Sequence, residues 1–185
     1  MDPDAYLCQL AEIFNGISVN TPSLSAIIAI ILAGLLLLAS GFASASEIAF
    51  FSLSPSDLND IEEGNHPSDG KISNLLADSE RLLATILITN NFVNVTIIML
   101  CNFFFMNVFV FHSPLAEFLI LTVILTFLLL LFGEIMPKIY SAQKTLAFCR
   151  FSAPVIYVLR KVFAPISAVL VHSTAFLNKH FAKKN

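Results

Sequence analysis

The chain has 185 residues, 57% of them hydrophobic and only 12% charged, with a mean hydropathy of +0.82. A soluble domain carries about twice that share of charge, so the composition excludes an ordinary water-soluble globule and points to a membrane protein. The net charge of −3 hides a segregation, because eleven of thirteen acidic residues precede Glu117 and eight of ten basic residues follow Pro137.

Residues 1–22 carry Asp2, Asp4 and Glu12 and no cation, so they lack the positive n-region of a secretory signal. Tyr6 to Ile17 is expected to form a short surface helix. Pro22-Ser23 then opens an apolar run from Leu24. With Ser40 through Phe51 appended, this run reaches about 28 residues, roughly 42 Å as a helix, enough to cross a bilayer and protrude. Residues 53–81 are rich in Asp and Glu and hold the turn formers Gly64-Asn65-His66-Pro67 and Asp69-Gly70. The pattern Ser56-x-x-Asn59 ahead of Ile61, and the spacing of Ile72, Leu75 and Leu76, predict two short helices outside the membrane, joined as a hairpin.

The second span runs from Leu82 to about Val110 and is interrupted by Thr85, Thr89, Asn90, Asn91, Asn94, Thr96, Asn102 and Asn107. An unpaired amide in hydrocarbon costs about 2–7 kcal/mol, so Asn90, Asn91 and Asn94 must face protein, water or an ion. Asn102 and Asn107, in the outer half, read as packing or pore-lining groups. His112-Ser113-Pro114 makes a turn, and a third span descends from Leu115 to Pro137, with Glu117 at its start and Gly133-Glu134-Ile135-Met136-Pro137-Lys138 at its end. Beyond it, the apolar pieces Leu146–Leu159 and Ile166–Leu177 fall short of the roughly 20 residues of a crossing. Lys144, Arg150, Arg160 and Lys161 recur among them, which predicts helices lying along the interface. A broken fourth span over 146–177 is the alternative.

The expected fold is therefore an all-α membrane protein of three transmembrane helices with a juxtamembrane hairpin and belt helices. Residues 1–22 form an extracytoplasmic segment, 23–137 a three-span core with a cytoplasmic hairpin at 53–81, and 138–185 the belt. Lys and Arg concentrate after the third span, which puts the C-terminal side in the cytoplasm and the N-terminus outside a cell membrane. Cys8, Cys101 and Cys149 share no motif spacing and read as small hydrophobes. His66, His172 and His180 have no metal-ligand spacing.

Ser40 and Ser44, spaced i, i+4, share one face of the first helix, and Asn90 and Asn94 repeat that spacing on the second. Counted from the cytoplasmic helix ends, Ser44, Asn90 and Gly133 lie roughly 8–14 Å inside. Glu134 is a costly intramembrane carboxylate and hence a functional candidate. Pro137 has no N–H, so in an α-helix the Gly133 carbonyl loses its donor. Hydroxyl, amide, carbonyl and carboxylate oxygens suit Mg²⁺, Ca²⁺ or Mn²⁺, with Na⁺ conceivable, and no Cys or His stands at that level for zinc or copper. The candidate ligands are Ser40, Ser44, Asn90, Asn94, Gly133 and Glu134; Asn91, Glu47, Pro137 and Lys138 are secondary, with Glu47 able to pair with Arg81 or Lys138. The alternative is that the same Ser, Gly and Asn residues only pack helices together.

Ser40-Gly41-Phe42-x-Ser44-x-Ser46-Glu47-x-Ala49-Phe50-Phe51-Ser52-Leu53, Asn90-Asn91-Phe92-Val93-Asn94 and Gly133-Glu134-Ile135-Met136-Pro137-Lys138 together resemble the transmembrane domain of the CNNM/CorC (cyclin M) family of magnesium transporters, over about residues 24–170. The resemblance implies a homodimer with a largely dehydrated Mg²⁺ between the helices, exported with sodium coupling, and a following cytoplasmic CBS-pair module. It also implies ion ligands among Ser40, Ser44, Asn90, Asn94 and Glu134, with backbone carbonyls near the broken third helix. The chain departs from the family at Thr89, where Gly is common, and at Ile139-Tyr140, where a small residue is common. Some relatives are associated with gliding motility, so a scaffold or motility-associated role is the alternative. No nucleic-acid partner is expected, and no His–carboxylate pair, nucleophile motif or phosphate loop suggests an enzyme.

Overall fold

The computed structural model describes residues 17–111 and 114–169. The first span is one helix, α1 (Leu24–Phe51), 28 residues long as its apolar run predicts. Ser23, extended in backbone, accepts a hydrogen bond from the Ala26 amide, which satisfies one of the donors every helix start leaves unpaired. The hairpin expected within 53–81 is present as α2 (Pro55–Glu62) and α3 (Asp69–Leu76). Its start differs from the expected Ser56–Asn59 pattern. Ser54 and Asp57 form a reciprocal capping box around Pro55, and that pair wins because proline is pre-set for the first helical turn. Gly64, at φ 69°, supplies the left-handed residue that ends α2.

The second span is α4 (Ser79–Val108), capped by the Asp78 side chain. It stops at Val108 because Phe109, Val110 and Phe111 leave the helix to form a strand, a fate β-branched and aromatic residues favour. That strand, β2 (Phe109–Phe111), pairs antiparallel with β1 (Ile17–Val19) in the register Ile17↔Phe111, Ser18↔Val110, Val19↔Phe109. The ribbon, which the sequence analysis did not foresee, ties the start of the chain to the end of the second span. Of the helix expected over Tyr6–Ile17, only Ile17 is among the described residues, and it is a strand residue. His112 and Ser113 also lie outside them.

The third span is continuous in three parts: α5 (Pro114–Leu128), a π-helical turn (Leu129–Ile135) and α6 (Met136–Gln143). It runs six residues past Pro137, which stands in the first turn of α6 directly after the π-helical turn. A belt helix, α7 (Thr145–Val162), follows. Three helical stretches are long and apolar enough to cross a membrane, Leu24–Phe51, Ser79–Val108 and Glu117–Gln143. α7 is not among them, so within the described residues the broken fourth span is not supported. Instead α7 is two-faced, with Cys149, Ser152, Ala153 and Ile156 buried and Phe151, Val155, Val158 and Val162 exposed.

The larger apolar core joins the hairpin-bearing ends of the spans to α7, with Phe50, Ile61, Ile72, Leu75, Leu82, Ile86 and Ile156 packed together. Two polar clamps fasten the hairpin to α7. Arg150 donates from Nε to Asp69 Oδ1 at 2.8 Å and from an Nη to Oδ2 at 3.0 Å. Arg160 reaches the Asn74 carbonyl at 3.1 Å and its side-chain oxygen at 2.6 Å. The Arg150 guanidinium holds the buried Asp69 carboxyl below its ordinary value, against the opposite pull of burial. Burial pushes the Cys149 thiol up to about 12, which leaves it an unreactive packing residue. Toward the other face, a smaller core of Ala33, Val93, Ile97, Cys101 and Leu125 holds the spans together.

Candidate metal site

α1 approaches its neighbours along a stripe of small buried residues, Ala29, Ala33, Ser40, Gly41, Ala43, Ser44 and Ala45. Without large side chains the backbones come close enough for short polar groups to meet. Ser40, fully buried, places its Oγ 2.9 Å from Asn90 Oδ1 and 2.6 Å from Asn94 Oδ1, and Ser44 Oγ lies 3.4 Å from Asn90 Oδ1. The i, i+4 spacing on each helix thus produces a cluster of four side-chain oxygens. Ser40 has one proton and faces two acceptor oxygens, so the cluster holds more lone pairs than protons to fill them. A surplus of converging lone pairs is what a hard cation requires.

The third span closes the cluster from the other side. Gly133 is buried, and a Cβ there would stand 3.1 Å from Ser40 Oγ. A Cβ on Gly41 would stand 2.9 Å from Pro137 Cγ and 3.2 Å from the Phe132 carbonyl oxygen. Two glycines on facing helices therefore permit the approach. Gly41→Ala is expected to cost about 1–3 kcal/mol, as overpacking does, read as a lowered thermal midpoint of the purified protein. Gly34→Ala, where a Cβ would meet nothing within 4 Å, is the control and should leave the midpoint unchanged or raise it.

The π-helical turn adds to one sequence expectation. The Met136 amide donates to the Leu131 carbonyl, five residues back. One residue further in that register, Pro137, which has no N–H, stands opposite the Phe132 carbonyl, so the Phe132 oxygen has no helical donor there. That oxygen points at Gly41. Glu134, on the same turn, is half-buried, and among the described residues no hydrogen-bond donor or cation stands against its carboxylate.

Among the secondary candidates, Lys138 Nζ pairs with Glu47 at 3.1 Å, tying α6 to the hairpin-bearing end of α1. Asn91 is not brought to the cluster; it is exposed and donates to the Leu87 carbonyl at 2.9 Å. Its position, about 100° around the helix from Asn90, was the signal for that difference. Gly41 and the Phe132 carbonyl were missed, although Gly41 lies beside Ser40 in the motif. No three His, Cys, Asp or Glu side chains converge among the described residues. A metal held here would be bound by neutral oxygens and at most one carboxylate, which favours Mg²⁺ or Ca²⁺ chemistry over zinc.

Comparison with known proteins bears on the chain's family. A UPF0053 protein of Haemophilus influenzae is 32% identical over 130 residues, which cover 70% of this chain and 30% of that relative. The chain therefore spans about a third of the curated relative's length. The family described as "Cyclin M transmembrane N-terminal domain" matches residues 30–185, a stretch that contains all three polar motifs, the second and third long apolar helices and all but the first six residues of the first. This all-α membrane chain belongs to the cyclin M transmembrane N-terminal domain family.

Proposed function

We propose that this chain is the membrane domain of a Mg²⁺ transporter, with the ion as its cargo. The observation that carries the reading is the lone-pair-rich cluster of Ser40, Ser44, Asn90 and Asn94, set against Gly133 and the turn that bears the unpartnered Glu134. Mg²⁺ is the cation favoured by the family resemblance of the motifs. The cluster lies in the hairpin-bearing half of the spans. Entry from that side, which the basic residues assign to the cytoplasm, makes the protein an exporter, and Na⁺ is the natural coupling ion. A homodimer in the cell membrane and a regulatory CBS-pair module in the full-length protein complete the proposal.

The second reading is a membrane scaffold in which the cluster only fastens helices together. The observation favouring it is that the Ser40 contacts are already at hydrogen-bond distance; with the amide nitrogens turned inward the same contacts would be ordinary packing. Ligand linkage separates the two. Mg²⁺ at 100 times its dissociation constant should stabilise a binding protein by about 2.7 kcal/mol, a rise of roughly 5–10 °C in thermal midpoint. Asn94→Ala should remove most of that rise. A wild-type midpoint indifferent to Mg²⁺ would leave the scaffold standing.

A further inference from the structure

Polar side chains along the spans mostly satisfy themselves. Thr85, Thr89, Thr96, Asn91 and Asn107 each donate to the carbonyl four residues back. Four that do not are Glu117, in the first turn of α5, and the exposed Asn102, Thr122 and Thr126, for which no partner exists among the described residues. All four line one cleft of about 410 Å³ between the second and third spans, in the half of the membrane that carries the β-ribbon. Unpaired amides, hydroxyls and a carboxylate do not gather by chance in hydrocarbon, where each is expensive. Water in the cleft would give each of them a partner.

The cleft follows the oxygen cluster along the same two spans. On α4, Asn102 stands two turns, about 12 Å, from Asn94, with Ile98 between them along the i, i+4 row. On the third span, Thr126 is seven residues, about 10 Å, from Gly133, with Leu129 between them at the floor of the cleft. Ile98 and Leu129 thus stand between the inner cluster and the polar cleft beyond.

We propose that this cleft is a second cation station, a water-filled vestibule that receives a hydrated divalent cation, with Glu117 supplying the charge and Asn102, Thr122 and Thr126 hydrogen-bonding to the ion's waters. Size and chemistry fit. An ion with six waters needs roughly 200 Å³ at ~30 Å³ per water, about half of the 410 Å³ available. With one carboxylate and mostly apolar walls, the cleft has too few ligands to strip the ion, so it keeps its shell. The inference rests on the transport reading above and adds to it the release side and an apolar gate at Ile98 and Leu129.

The test is thiol accessibility in sealed proteoliposomes. Thr122→Cys, Thr126→Cys and Val123→Cys chains are treated with a charged, membrane-impermeant thiol reagent on either side; the unsubstituted chain gives the background of the native cysteines. Val123, 66% exposed on the lipid face, is the control. Thr122→Cys and Thr126→Cys should be modified from the ribbon-bearing side at least tenfold faster than Val123→Cys, and millimolar Mg²⁺ should slow them at least threefold. Glu117→Gln should remove that protection while Mg²⁺ titration of the inner cluster is unchanged. Rates no faster than at Val123→Cys mean that lipid or a second copy fills the cleft, and fast rates without Mg²⁺ protection mean a wet cleft with no ion site; either overturns the proposal. Protection retained in a protein that shows no inner-cluster binding would uphold the vestibule and overturn the reading of the cluster instead.

Discussion

Glu134→Ala is expected to weaken Mg²⁺ binding to the purified chain on the order of 100-fold, because it removes the charged ligand from a site otherwise built of neutral oxygens. Glu134→Gln keeps an oxygen in place and should lose on the order of 10-fold. The decisive contrast is with stability measured without the ion. No donor or cation faces the Glu134 carboxylate among the described residues, so its removal relieves an unpaired charge within a span, and the ion-free thermal midpoint should hold or rise. A residue that merely packed helices would behave in the opposite way, with a lowered midpoint and no specific effect on Mg²⁺. Isothermal titration and thermal unfolding on the same three proteins therefore decide between an ion ligand and a structural glutamate. Unchanged Mg²⁺ affinity in Glu134→Ala would remove it from the site.

The parts of the fold governed by local chemistry could be read directly. Leu24 to Phe51 is bounded by a capping serine and an apolar run, and it is a helix over that range. The i, i+4 pairs Ser40/Ser44 and Asn90/Asn94 predicted two facing stripes, and the hydrogen bonds between them follow from that spacing. What could not be read depends on distant partners. The π-helical turn ahead of Pro137 brings its ring and the Phe132 carbonyl against Gly41, nearly a hundred residues earlier, and no local pattern announces that contact. Likewise, Phe109, Val110 and Phe111 look like the end of a span until Ile17 to Val19 offers them a strand to pair with. The 53–81 segment was legible as a hairpin but not as a clamped one, because nothing near Asp69 in sequence announces Arg150, 81 residues away.

That clamp carries the other large effect. Asp69 is completely buried and its carboxylate is met on both oxygens by Arg150, with a further donation from the His66 amide at 2.9 Å. Arg150→Ala leaves that carboxylate in the core with the guanidinium that pairs it gone, and the thermal midpoint of the purified protein should fall on the order of 10 °C. Arg150→Lys, which retains the charge but not the two-pronged geometry, should fall by less. Most of the loss is the penalty of an unpaired buried charge, so an Asp69→Leu, Arg150→Met double substitution should recover much of it; no recovery would show that the hairpin is held by something other than this pair. The pH dependence has a fixed sign. The arginine bond lowers the Asp69 carboxyl below its ordinary 3.8, so the clamp's contribution is complete above the unfolded value of about 4 and is lost as pH falls through the folded value below it. Wild-type stability should therefore decline on acidification below about pH 4 with a component that the double substitution abolishes. Because the hairpin, α7 and the Glu47–Lys138 pair share the end of the bundle nearer the cluster, which the proposed function makes the entrance, the same substitutions should loosen that end, and Mg²⁺ titrations of Arg150→Ala should show weaker binding although Arg150 is not among the proposed ligands.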